Sequence, residues 1–302
     1  KMKDCDGLMW HWSHADPKAI HFARQLTYSL EACGKKVFPN ANTVWHFDDK
    51  VGQKYLLETI KAPLIPSYVF YTKKEAYEWA KTTSFPKVFK LKVGAGSRNV
   101  WLLKDFKKAR KFINKSFKKG FKLSDPFIEL KDRYSKFLIH KNKPTFVKLL
   151  KGVGRLFFVS ELQMLKLREK GYAYFQDFIP DNSFDMRVVT IGDRAFVLKR
   201  IVRSGDFRAS GSGTILHPGN EINTDIIKTS FETTDKIGAQ CLAYDFVKNE
   251  KGESLIIEIS YAFSMLAYDK CLGYWDRELN WHPEPVNAPL FMIQDFVKNL
   301  KE

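Results

Sequence analysis

The chain has 302 residues, 44% of them hydrophobic and 28% charged, and carries a formal net charge of +16. That length supports two or three subdomains around a sizeable core, and the composition excludes a largely disordered chain. No apolar run reaches the roughly 18 residues that a membrane-spanning helix needs, and no charged-then-apolar start reads as a signal peptide. Cys5, Cys33, Cys241 and Cys271 show no paired spacing, so free thiols in a reducing cytoplasm are expected.

In chain order, residues 17 to 34 place Ile20, Ala23, Leu26, Thr27 and Leu30 at helical spacing, with Asp16-Pro17 as cap and first turn and Gly34 as the stop. Lys36-Val37-Phe38 reads as a short strand and residues 49 to 61 as a second helix, completing a small α/β N-terminal part. A strand over Tyr68 to Tyr71, a helix from Thr72 to Lys81, and strands over Lys87 to Lys92 and Val100 to Leu103 follow. Between the last two lies Val93-Gly94-Ala95-Gly96-Ser97-Arg98-Asn99. Such a small-residue turn lets backbone N–H groups approach phosphate oxygens without Cβ interference, and Lys90 on the preceding strand supplies charge. Asn99 is among the residue types that best tolerate positive φ, so the turn is feasible without a further glycine. Taken alone the pattern is weak, because most glycine hairpins bind nothing.

From Lys104 to Lys170, 20 Lys plus Arg stand against 6 Asp plus Glu, a net +14 that leaves +2 for every other residue. Within this stretch Phe146, Leu149, Leu150, Val153 and Phe157 share one helical face, with Lys148, Lys151 and Arg155 toward the other. Two readings compete: a helix packed on its own domain with a solvated basic face, and a basic amphipathic helix at an anionic membrane surface. A nucleic-acid groove is the weakest reading.

Strand patterns resume over Met186 to Ile191 and Ala195 to Val202, followed by a helix from Thr224 to Cys241. Asp245 then sits inside the apolar run Leu242 to Val247, and Glu258 inside Leu255 to Ser260, with the turn-like Lys248 to Glu253 between them. A hairpin of this kind brings two carboxylates toward one point. Burying them unpaired is costly, so they hold either a hard cation such as Mg²⁺ or structural counter-ions. The aromatic tracts Trp10 to His14 and Gly273 to His282 read first as packing, the second also as a platform for a sugar or an acceptor.

The order of these pieces resembles the ATP-grasp superfamily, particularly its RimK-like carboxylate–amine ligases, over about residues 45 to 265. Asp49-Lys50 is similar to the early nucleotide-phosphate lysine, Pro86 to Lys90 to the strand ending in the second lysine, and Gly94 to Val100 to the phosphate loop. Phe175-Gln176-Asp177-Phe178-Ile179 resembles the hinge that reads the adenine edge. Asp185-Met186-Arg187-Val188 and Gly205-Asp206-Phe207-Arg208 resemble the two arginine motifs, and Asp245 and Glu258 fall on two of the family's Mg²⁺ ligands. Ser260, a weaker oxygen ligand, stands where the family usually has Asn.

The resemblance implies an α/β (α+β) chain in which two α/β subdomains grip ATP. Residues 1 to 48 would be a small N-terminal part, short for the family and expected to lack its first strands. Residues 49 to 104 would be the first subdomain, 105 to 172 a basic helical insertion, 173 to 270 the second subdomain and 271 to 302 a tail packed on the core. It further implies ATP and Mg²⁺ as cofactors. Lys50, Lys90, Gly94, Gly96, Ser97, Gln176, Asp177, Phe178 and Ile179 would hold the nucleotide, and Asp245, Glu258 and Ser260 the metal. Arg187, Arg208 and Arg200 would act at an acyl phosphate, unless they simply pair with Asp185, Asp193 or Asp206. The expected partners are a small-molecule or glycan carboxylate, the latter on a surface-polysaccharide precursor, and an amine, with docking at the inner membrane face through residues 137 to 170 of a cytoplasmic enzyme. An ATP-grasp kinase acting on a hydroxyl and a basic scaffold with a degenerate nucleotide pocket are the rival classes.

Overall fold

The computed structural model describes residues 4–12, 17–94, 99–122, 130, 133–134, 137–138, 143–157, 168–202, 207–208 and 214–301. The chain divides into two compact units, one of Lys1–Tyr68, Pro86–Leu102 and Tyr174–Glu302, the other of Val69–Phe85 and Leu103–Ala173. Among the described residues no helix is long and apolar enough to cross a membrane.

The first unit is built around a seven-stranded sheet. Its centre is β9 (Phe184–Ile191), flanked by β10 (Arg194–Ile201) and β12 (Cys241–Lys248), with β13 (Ser254–Ser260) at one edge, all antiparallel to their neighbours. Strand β12 is buried from Cys241 to Val247, which explains its near-continuous apolar run. Helix α7 (Asp225–Ile237) contributes Ile226, Ile227, Phe231 and Ile237 to the core. It ends where Gly238 turns left-handed at φ 70°, so Cys241, expected at the helix end, instead opens β12. The C-terminal residues form helix α8 (Ala288–Lys301), which buries Phe291, Met292 and Phe296.

A second sheet orders β3 (Ser67–Phe70), β8 (Ala173–Asp177), β4 (Lys87–Lys90) and β5 (Val100–Leu103). Its antiparallel central pair sets Lys87 opposite Asp177 and Lys90 opposite Tyr174. Helix α1 (Pro17–Ala32), the β1–β2 pair (Gly7–Met9, Lys36–Phe38), a single turn α2 (Ala41–Val44) and α3 (Lys50–Thr59) complete the first unit.

In the second unit, α4 (Lys73–Thr82) buries Ala76 and Ala80, and α5 (Phe106–Phe117) buries Ala109, Ile113 and Ser116. The short antiparallel ladder of β6 (Phe121–Lys122) with β7 (Arg168–Glu169) brackets helix α6 (Lys143–Phe157). Among the described side-chain positions of α6 Gly152 is buried: a Cβ there would lie 2.7 Å from Arg133 Cδ and 3.1 Å from Leu130 Cδ1. Phe146, Leu150 and Val153, grouped on one apolar face by their spacing, are 45%, 54% and 42% exposed.

Candidate active site

Helix α3 starts at Lys50 because Asp49 caps it, its Oδ1 accepting from the Gly52 N–H at 2.8 Å. Two further bonds pin this first turn. The Lys50 N–H donates to the Lys92 carbonyl at 2.9 Å, and the Gln53 side chain accepts from the Ile259 N–H at 3.3 Å. Held between the end of β4 and the end of β13, Lys50 is 7% exposed; its Nζ donates to the Gly94 carbonyl at 2.6 Å and lies 3.8 Å from Glu258 Oε2. The turn after β4 is fixed in its own right. The Gly94 N–H donates to Asp48 Oδ1 at 2.8 Å, and Asn99 adopts φ 61° while its carbonyl accepts from the Leu91 N–H at 3.0 Å. Asn99 thus takes the left-handed position that its short polar side chain permits. Gly96 and Ser97 lie outside the described residues.

The hairpin of β12 and β13 sets Asp245 opposite Glu258, as its spacing predicts, but the ladder then jumps to Phe246 opposite Ile256. Ile257 is the extra residue of a bulge, and both Ile257 and Glu258 line the same cavity. A bulge re-aims side chains that would otherwise alternate across the strand.

Asp245 does not line that cavity. It is 1% exposed, and both its oxygens are engaged: Arg187 donates through Nε at 2.6 Å and Nη2 at 2.8 Å, and Arg200 Nη2 lies 2.9 Å from Oδ2. Arg200 also grips Asp185 with both Nε, at 2.8 Å, and Nη2. The cause is register, because Asp245 faces Arg187 across β12 and β9, and Asp185 faces Arg200 across β9 and β10. In this structure Asp245, expected at the metal, and Arg187 and Arg200, expected at the acyl phosphate, serve together with Asp185 as one another's counter-ions. Burial alone would raise the Asp245 carboxyl, but Arg187 and Arg200 outweigh it and hold the group far below the usual carboxylate range. Burial pushes Asp185 up to about 6 against the pull of Arg200. Ser260 stands opposite Ala243, two residues beyond Glu258 on β13.

The cavity has a volume of 370 Å³. Val88 and Lys90, alternate residues of β4, face it together, joined by Ile65, Val100, Val247 and Ile257 as apolar wall and by Lys50, Arg208 and Glu258 as charged groups. Ile65 is set there by bonds of Ile65 and Pro63 to the backbone of Ile256. Lys90 is 4% exposed, and its ammonium is pushed down to about 8 by burial and by Lys50, against the opposing pull of Glu258 and Asp245. All four hinge residues, Gln176, Asp177, Phe178 and Ile179, line the cavity. The Gln176 amide donates to Ser67 Oγ at 3.1 Å, Asp177 is paired with Lys87 at 2.6 Å, and the β4–β8 ladder ends at Asp177, so Phe178 and Ile179 run along the cavity beyond it.

Sequence reasoning missed Asp181, Asn182 and Ser183, which also line it. Asn182 exchanges two bonds with the Lys248 backbone, at 2.9 and 3.0 Å, and so tethers this turn to the end of β12. The turn chemistry of Pro180-Asp181-Asn182-Ser183 was the available signal. Among the described residues no group of three or more His, Cys, Asp or Glu side chains is placed to cage a metal ion.

In the aromatic tracts, the described rings pack on one another. Tyr274 stacks on His282 with centroids 5.0 Å apart, and Trp275 packs on Trp281 at 4.3 Å, so these ring faces meet one another. Trp12 is 2% exposed and meets Tyr261 edge-on at 5.6 Å.

Neither a protein-family model nor a curated protein sequence matches the chain. Solved structures do. The biotin carboxylase domain of Hydrogenobacter thermophilus 2-oxoglutarate carboxylase, crystallised with MgADP, ADP and bicarbonate, is 13% identical with a TM-score of 0.53 over 86% of this chain and 48% of its own. Biotin carboxylase from Campylobacter jejuni, in a β,γ-ATP complex, is 13% identical with a TM-score of 0.53, covering 87% and 50%. An ADP complex of purK, N5-carboxyaminoimidazole ribonucleotide synthetase, is 12% identical with a TM-score of 0.54, covering 93% and 63%. The chain spans about half the length of the first two, 48% and 50%. At these identities the likeness establishes the fold, and the fold is that of the ATP-grasp proteins.

Proposed function

We propose that the cavity binds ATP with Mg²⁺ and that the protein is an ATP-dependent carboxylate–amine ligase. The observation that carries this reading is the cavity in which Lys50 and Lys90 stand beside Glu258 while the Gln176 to Ile179 hinge runs along the same wall. Along β4, Lys90 and the residue opposite Asp177 are three positions apart, about 10 Å of strand. That is the reach from a nucleobase to its outer phosphates. In this reading the backbone of Phe178 and Ile179 meets the base edge, the apolar wall of Ile65, Val88 and Ile257 covers its faces, and Lys50 and Lys90 hold phosphate oxygens.

Mg²⁺ suits what remains, because it is commonly held by one or two carboxylates plus nucleotide phosphates rather than by an all-protein cage. Glu258 is a cavity-lining carboxylate 3.8 Å from Lys50, with Ser260 two residues beyond it on the same strand. Asp245 would join only by giving up a guanidinium. When bound, magnesium neutralises charge on the transferring phosphoryl group, and the protein's own part is positioning. Arg208, which lines the cavity, is the arginine assigned to steady the acyl phosphate. A carboxylate oxygen attacks the γ-phosphorus as the bond to ADP breaks; an amine then attacks the acyl carbon, losing a proton as phosphate leaves. For the acid, a carboxylate of a surface-polysaccharide precursor is the reading supported by the charge of residues 104 to 170.

ADP release over a panel of uronic acids, sugar nucleotides and amino acids, each with and without an amine, tests the proposal. Full turnover that requires both acid and amine is expected, with an amide in the mass spectrum. Phosphate retained on a single hydroxyl acceptor would make the protein a kinase instead.

A further inference from the structure

The second unit carries a surface that the nucleotide site does not use. Helix α6 turns Gly152 inward and leaves Phe146, Val147, Leu150 and Val153 between 40% and 54% exposed, with Lys143 and Lys151 exposed on the same helix. Among the described side chains of α6 only Leu149 of the apolar ones is half-buried, so the outward ones form an apolar ridge unlike the solvated face of an ordinary packed helix. Helix α5 of the same unit has no acidic residue at all; it buries Ala109, Ile113 and Ser116 and exposes Lys107, Arg110, Lys111 and Lys115. Both lie in the stretch that carries +14 of the chain's +16 charge.

We propose that this unit docks the protein on an anionic lipid surface, α6 inserting Phe146, Leu150 and Val153 at the level of the headgroups while Lys107, Arg110 and Lys111 of α5 and Lys143 and Lys151 of α6 meet lipid phosphates. Charge alone would equally serve a nucleic-acid backbone. The exposed ridge decides between them, since apolar side chains gain nothing against a polyphosphate in water but are removed from water at a membrane interface. Basic residues near an anionic leaflet add attraction that salt screens.

The test is flotation of the full chain with phosphatidylcholine vesicles, with and without phosphatidylglycerol, alongside RNA binding by fluorescence anisotropy. Recovery with the anionic vesicles only, falling as salt rises, is expected. The triple substitution Phe146→Ser, Leu150→Ser, Val153→Ser should weaken vesicle binding by at least about tenfold, and Lys107→Glu with Lys111→Glu by at least about tenfold. All five side chains are exposed, so thermal melting should not move; were the triple variant to melt early, the charge variant carries the test. Equal recovery on neutral vesicles, no recovery on either, unchanged binding by the variants, or capture of RNA without vesicles overturns the proposal. ATP binding measured on the same variants is expected to stay at the parent value, so failure here leaves the nucleotide site untouched, and failure of that site leaves this surface standing.

Discussion

Lys90 makes the nucleotide site testable through protons. Its ammonium is 4% exposed and pushed down to about 8, chiefly by burial, from an ordinary 10.5. If Lys90 must be charged to hold phosphate, the competent fraction is about nine-tenths at pH 7 and about one-tenth at pH 9, so ATP should bind about tenfold more weakly at the higher pH. Bound phosphate restores the charge, so binding at pH 9 should take up close to one proton. Calorimetry in two buffers of different ionisation enthalpy reads this directly. Lys90→Arg keeps its charge throughout and cancels any contribution from the nucleotide's own ionisation; its affinity should be flat over the same range. The same burial bears on stability. Below about 8 both folded and unfolded chains hold the proton, and the folded one carries the full cost of a buried cation. Between about 8 and 10.5 the unfolded chain binds more protons, so stability should rise with pH by about 3 kcal/mol through that window. Lys90→Met should therefore melt higher at pH 7 while losing ATP. Affinity that does not change from pH 7 to pH 9, with no proton taken up, would refute the assignment of Lys90 to the phosphates.

Asp245 and Glu258 are predicted to separate on mutation although they face each other across one ladder. Asp245→Asn leaves Arg187 and Arg200 with one fewer counter-ion in a buried network and should cost about 3–5 kcal/mol, read as a lower melting temperature; unchanged melting would mean that the ion pairs are dispensable. Glu258→Ala, at a side chain that is 29% exposed, should leave melting within about 0.5 kcal/mol of the parent and cut turnover by several orders of magnitude. Retained Mg²⁺-dependent turnover would remove Glu258 from the metal. Arg208→Ala should lower kcat with ATP affinity kept, and an equal loss of both would assign it to the nucleotide instead.

The strands and their order could be read in the sequence because alternation is local. Val100 to Leu103 and the hairpin of Asp245 and Glu258 lie where their patterns put them, and the strand expected over Lys87 to Lys92 forms from Lys87 to Lys90. The left-handed Asn99 also lies where its residue type allowed. What could not be read depends on non-local register. Nothing within Leu242 to Val247 says that β9 will lie alongside with Arg187 opposite Asp245, and a shift of one residue would have turned Asp245 to the other face. The bulge at Ile257 is likewise a property of the pair of strands. On α6 the spacing of Phe146, Leu150 and Val153 identifies a face, but whether that face turns inward depends on what Leu130 and Arg133 do around Gly152.

In the proposed reading the two acids of the hairpin divide two tasks that their sequence made look like one. Asp245 is so deeply buried that only paired charge makes it tolerable, and its guanidinium partners come from β9 alongside and from β10 beyond it. Glu258, displaced by the bulge toward the cavity and only loosely approached by Lys50 at 3.8 Å, keeps oxygen lone pairs for a further partner. A cation brought in by nucleotide phosphates fits that position better than it fits Asp245. Its arrival would also change Lys90, whose charge Glu258 helps to sustain: a metal on Glu258 withdraws that support, and the phosphates it carries must replace it. Binding of metal alone should therefore be weak and should release protons from Lys90 near pH 8, whereas nucleotide and metal together should take protons up.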